Sequence, residues 1–140
     1  GDQEQLNHFK SAIKNKSADV STLQFWKQYV SEAAKQVTSG DGGSSYREML
    51  HEELQSPCVM RQFLEMGLVY RELLMASLET ELRIEDLKER RETARLIAIT
   101  IWGAHEDMMT RYDREDDFEL NIELITVMSR VEEFCRPLFK

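Results

Sequence analysis

The stretch Ala94-Arg95-Leu96-Ile97-Ala98-Ile99-Thr100-Ile101-Trp102-Gly103-Ala104 decides the fold. Wound as a helix, it is apolar on nearly every side, and a helix of that kind is covered by neighbours. It is also far shorter than the roughly 18 apolar residues that a membrane span needs. It is therefore expected to be the buried centre of a bundle, a helix over about 92–110 that frays from His105 to Tyr112.

Working back from this centre, no Gly or Pro occurs from residue 68 to 102. One helix over that length would outrun a compact domain, so a break is expected near Arg83–Asp86, with Glu85 and Asp86 in the first turn of the next helix. Before the break, Val59, Phe63, Met66, Tyr70 and Leu73 form one helical seam, widened by Leu64, Leu68, Met75, Leu78 and Leu82. Ser56-Pro57 starts that helix with a favoured N-cap and N1 pair. Gly67 inside it costs about 1 kcal/mol against Ala, which a close helix–helix contact would explain. Ser45 and Glu48 read as a capping box for a short helix carrying Tyr46, Met49, Leu50 and Leu54.

Further back, Ser39 to Ser45 is the one linker-like stretch. Ser21 and Gln24 form a second capping box, and Leu23, Trp26, Val30, Ala33 and Val37 then follow on one face. Leu6, Phe9 and Ile13 suggest a first helix near 3–15. Beyond the centre, Asp113 to Asp117 reads as a charged turn. A last helix from Phe118 to about Cys135 carries two apolar seams, hence two neighbours, and Pro137 ends it.

These elements predict an all-α fold, a single bundle of five or six helices in one domain over 1–140. It divides into an N-terminal helical hairpin (1–39), a flexible loop (40–45) and a main bundle (46–140). Composition agrees. With 140 residues, 41% hydrophobic and 31% charged, the chain can bury one core. Six Gly and two Pro are too few for the turns of an all-β domain. The start at Gly1-Asp2, without Met, reads as that of a trimmed or processed chain.

The net charge of −8 disfavours nucleic acid and anionic membrane, which both need a positive footprint. The acid is concentrated. Residues 105–123 hold eight acids against Arg111 and Arg114, six of the eight net charges. Cys58 and Cys135 sit among apolar neighbours and are expected to be buried, reduced thiols, in keeping with an intracellular, cytoplasmic protein. Cys58 at a helix start near Arg61 has one feature of a reactive thiol, which burial would cancel.

No catalytic, cofactor or metal site is expected. Glu48-x-x-His51 is half of a di-metal carboxylate motif, and the second half is missing. Nor do His8, His51 and His105 pair with cysteines at zinc spacing. Gly-x-Ser-x-Gly, His-Glu-x-x-His and phosphate-loop patterns are missing too.

The expected function is a non-enzymatic interaction or regulatory domain that binds another protein. One candidate surface is the acidic run Asp113, Glu115, Asp116, Asp117 and Glu119, suited to a basic partner. The other is a Met/aromatic groove suited to an amphipathic helix. Phe25, Trp26 and Tyr29 cannot all face one side, so one of them is expected to be exposed there. A C2 homodimer through the two-seamed last helix belongs to the same class. One rival is an inhibitor or immunity-type protein with a single basic partner. Another is a helical-bundle metal enzyme using Glu48, His51 and His105. A third is a Bcl-2-like regulator with a buried central helix and a peptide groove. Trp102-Gly103 is similar to one dipeptide of that family's motifs, but Ile101 and Ala104 stand where the family has Asn and Arg.

Overall fold

A computed structural model describes residues 2–41 and 43–140; Gly1 lies outside them, as does Gly42 of the loop expected at 40–45. The fold is an all-α bundle. Its helices among the described residues are α1 (Asp2–Lys14), α2 (Thr22–Thr38), α3 (Ser44–Leu54), α4 (Pro57–Glu79), α5 (Leu87–Arg114) and α6 (Leu120–Cys135). A 3₁₀ turn, Arg136–Leu138, follows α6, and an isolated bridge pairs Leu82 with Phe139.

Local chemistry sets most boundaries. Ser21 caps α2 by accepting from the Gln24 N–H, and Ser56 caps α4 by accepting from the Val59 N–H, with Pro57 at the first helical position. The break between α4 and α5 falls at residues 80–86. There Asp86 is the N-cap itself, accepting from the Glu89 N–H at 2.9 Å, rather than a first-turn residue. The start of α3 corrects the Ser45–Glu48 reading. Its cap comes from before the helix, where Asp41 accepts from the Gly43 and Ser45 N–H groups and from the Ser45 hydroxyl. Those three bonds hold the Asp41 carboxyl below its usual range. Gly43 takes the left-handed conformation (φ +87°) that the turn requires, and the Tyr112 hydroxyl donates to its carbonyl at 3.2 Å.

The most extensive helix contacts are α4 on α5 and α2 on α6. The first pair is antiparallel: Glu79 bonds Arg91, Glu72 bonds Arg95, and Gly67 lies against Trp102. Leu74, Leu78 and Leu82 meet Ala94, Ala98 and Ile101 in one core with Leu124 and Met128 of α6. Two expectations for α5 need correction. It does not fray at His105 but runs unbroken to Arg114, and it is not covered all round. Ala94, Ile97, Ala98 and Ile101 are buried, while Leu96 is 64% and Ile99 42% exposed. Periodicity registers how apolar a helix is, and only packing decides how many neighbours reach it.

A buried polar knot ties the start of α2 to the end of α4. Glu81 accepts from the Thr22 N–H at 2.8 Å and from the Thr22 hydroxyl at 2.5 Å, while Ser77 Oγ lies 2.6 Å from that hydroxyl. Lys16 Nζ, 3.3 Å from Glu81, closes the knot from the α1–α2 connection. Thr22 is fully buried, so these bonds replace the water it has lost.

Candidate functional site

The acidic run is split by the end of α5. Asp113 lies inside the helix with its side chain only 8% exposed, and its Oδ1 is 2.8 Å from Nδ1 of His51 on α3. Glu115 pairs with Arg111 at 3.2 Å and Asp116 with Arg47 at 3.6 Å. Arg47 also lies over the Tyr112 ring at 4.1 Å and donates to the Glu115 carbonyl. The run thus fastens α3 to the end of α5, and much of its charge is met from within. Only Asp117 and Glu119 have no ion-pair partner among the described residues.

The aromatic candidates lie inside. Trp26 is 1% exposed, and Phe25 and Tyr29 are half-buried, which corrects the expectation that one of the three is exposed. The cover comes from α1. Phe9 packs edge-on against Trp26 (5.8 Å) and Tyr29 (5.1 Å) and tilts over Tyr70 (4.8 Å). His8 Nδ1 reaches the Tyr29 hydroxyl at 3.3 Å. Tyr70 in turn stacks on Trp102 at 5.1 Å, so one aromatic cluster joins α1, α2, α4 and α5. Burial in it pushes the Tyr70 phenol up to about 12.

His105 belongs to this cluster, 5.4 Å from Trp102 and 5.8 Å from Trp26 between ring centres. Its Nδ1 is buried without a hydrogen-bond partner, as is Nε1 of Trp26, although part of the residue reaches solvent. Desolvation takes the imidazole down to about 4, so it is neutral at pH 7. Glu48, His51 and His105 are therefore not gathered: His51 turns to Asp113 and His105 into the aromatic cluster. Among the described residues no three His, Cys, Asp or Glu side chains are placed to share a metal ion.

The thiols differ from expectation as well. Both are free, but Cys58 is exposed at the start of α4, and Cys135 is half-buried, with burial raising its thiol. A cleft of about 340 Å³ near the end of α4 is lined by Glu79, Arg90 and Lys140. Its charges are already engaged: Glu79 bonds Arg91, and Arg90 and Lys140 donate to the Ile84 and Thr80 carbonyls.

What the pattern reading missed is the outer surface of α4 and α5, and on α6 it expected two covered seams where Ile122, Ile125 and Phe134 are 50%, 38% and 85% exposed. Met60, Leu64 and Leu68 stand one turn apart on α4 and are 41%, 65% and 48% exposed. On α5, Leu96 and Ile99 are exposed near the middle of the helix and Leu87 (46%) at its start. The signal is present as apolar patterns wider than one stripe, but such width is equally the mark of a helix with more neighbours. Among the described residues no helix is long and apolar enough to cross a membrane. Compared with family models, curated proteins and solved structures, the chain has no match.

Proposed function

We propose that this chain is a non-enzymatic interaction domain whose recognition face is the outer surface of α4 and α5, and that the face takes an apolar helix of another polypeptide. The observation that carries this reading is the pair of uncovered apolar rows, Met60-Leu64-Leu68 and Leu96-Ile99, on two antiparallel helices packed side by side. Scattered exposed leucines are ordinary on protein surfaces, but apolar rows at one-turn spacing are the pattern by which one helix docks on another. The remaining candidate surfaces support it less. The aromatic triad is inside the core, and most of the acidic run serves the α3–α5 junction.

The test is site-specific photo-crosslinking in cells. A photoreactive residue replaces Leu64 or Leu96 in turn, with exposed Glu52 on α3 as the control. The expected result is a discrete cross-linked polypeptide from both apolar positions and none from the control. Equal yields at all three positions would overturn the reading.

A further inference from the structure

Phe9 of α1 stands in a groove between α2 and α4. The rings of Phe25, Trp26 and Tyr29 meet it from α2, and that of Tyr70 meets it from α4. Behind these walls Trp102 of α5 braces both, 6.0 Å from Trp26 and stacked on Tyr70 at 5.1 Å. The walls are therefore held by contacts that do not involve α1. Leu6, Phe9 and Ile13 fall at i, i+3 and i+7, the spacing by which an amphipathic helix lies in an apolar groove.

Three observations set α1 apart from the rest of the bundle. Its anchorage is narrow. Of its thirteen residues Leu6 and Phe9 are buried, Ala12 and Ile13 are half-buried, and the others are exposed. Phe9 belongs to the main core, whereas Leu6 is buried outside it, and His8 meets the Tyr29 hydroxyl only at the exposed rim. A helix of this length is marginal on its own in water, so the groove is what keeps α1 helical. Next, the seat sets acid against acid. Burial and then the Asp2 carboxylate raise the Glu53 carboxyl, so the start of α1 lies close enough to α3 for like charges to repel. Finally, the chain is fastened just behind α1. In the connection, Lys16 Nζ is held by the Val20 carbonyl at 2.7 Å and by Glu81 at 3.3 Å. Release of α1 leaves that fastening, and the knot at Thr22, in place.

We infer that α1 is a displaceable strap over a preformed helix-binding groove, and that an amphipathic helix of another polypeptide, with large apolar residues at the spacing of Leu6, Phe9 and Ile13, takes its place. The chain's own α1 states the chemistry of that partner, because it is the helix the groove already holds. The groove is separate from the outer face of α4 and α5 and does not rest on that reading.

Hydrogen exchange and a labelled peptide of residues 2–14 test the strap on the full chain. The amides of residues 6–14 are expected to exchange at least tenfold faster than those in the buried turns of α4 and α5. The peptide should bind the wild type weakly, because a tethered α1 competes at an effective concentration on the order of millimolar. Phe9→Ala in the chain loosens the strap, and the peptide should bind that variant at least tenfold more tightly. Should circular dichroism show that variant unfolded, Leu6→Ala, outside the main core, replaces it. A peptide that itself carries Phe9→Ala should not bind, and Leu64→Glu on the outer face of the chain should leave binding unchanged. Exchange of α1 in step with α4 and α5, a peptide that binds the loosened chain no more tightly than the wild type, or binding lost with Leu64→Glu would each overturn the inference.

Discussion

Trp102 fills the space that a side chain at Gly67 would need. A Cβ at residue 67 would stand 2.8 Å from Nε1 of that indole and about 3 Å from two of its carbons. The ring cannot withdraw easily, because Tyr70 stacks on one side of it and Trp26 lies 6.0 Å away. Gly67→Ala therefore sets about 1 kcal/mol of helix propensity against an overpacking cost of about 1–3 kcal/mol. The expected outcome in urea denaturation is a net loss of about 1 kcal/mol. In a Trp102→Phe background, where the smaller ring leaves room, the same substitution should be neutral or stabilising. A loss of equal size in both backgrounds would place the cost elsewhere.

His105 makes stability depend on pH. Its folded value is about 4, against an ordinary 6.5 in the unfolded chain. Between those two values the unfolded chain binds a proton that the fold excludes, so stability falls as pH drops from about 6.5 toward 4 and levels off below. From pH 7 to pH 5 the loss from this one group is about 2 kcal/mol. His105→Gln should cost stability at pH 7 through lost packing, yet its denaturation midpoint should change less between pH 7 and 5 than that of the wild type. Parallel pH profiles for the two proteins would show that His105 is not the group responsible.

Local signals carried much of this fold. Ser21 and Ser56 announced their helices because a cap is a contact over three residues, and Gly67 announced a close contact because Gly in a helix needs a reason. The signals that failed concern partners distant in sequence. Asp113 looked like one carboxylate among many until α3 brought His51 to it, 62 residues away in the chain. Trp26 looked available until Phe9 and Trp102 arrived from two other helices. Leu96 erred the other way: its apolar character implied a neighbour, and none of the five other helices supplies one. The candidate face was therefore hidden within the segment that best identified the core.

The knot at Thr22 should be costly to open from either side. Glu81, just beyond α4, brings a carboxylate to the first backbone N–H of α2, where the helix dipole favours negative charge. Removing it leaves the buried Thr22 N–H without its acceptor, the Thr22 hydroxyl with Ser77 alone, and the Lys16 ammonium with only the Ser17 and Val20 carbonyls. Glu81→Ala is expected to cost about 2–3 kcal/mol, and Glu81→Gln, which keeps an acceptor, about half as much. Thr22→Val should cost about 1–3 kcal/mol, and the Glu81→Ala/Thr22→Val double variant less than the two single losses together. Strict additivity in denaturation would mean that the two residues act independently.

The acidic run yields the last test, because the structure makes its members unequal. Asp113 is nearly buried and joined to His51, whereas Asp117 is exposed and has no ion-pair partner among the described residues. Asp113→Ala should cost about 1 kcal/mol, a modest figure because His51 is largely exposed and water screens the pair. His51→Ala should cost about the same, and the double variant little more than either one, since both remove the same bond. Asp117→Ala should stay within about 0.5 kcal/mol of wild type. If all the carboxylates of the run proved equally dispensable, the α3–α5 junction would have to be held by Arg47 and Tyr112 alone. In that case Arg47→Ala should recover the missing cost, through loss of its contact with the Tyr112 ring and its bond to the Glu115 carbonyl.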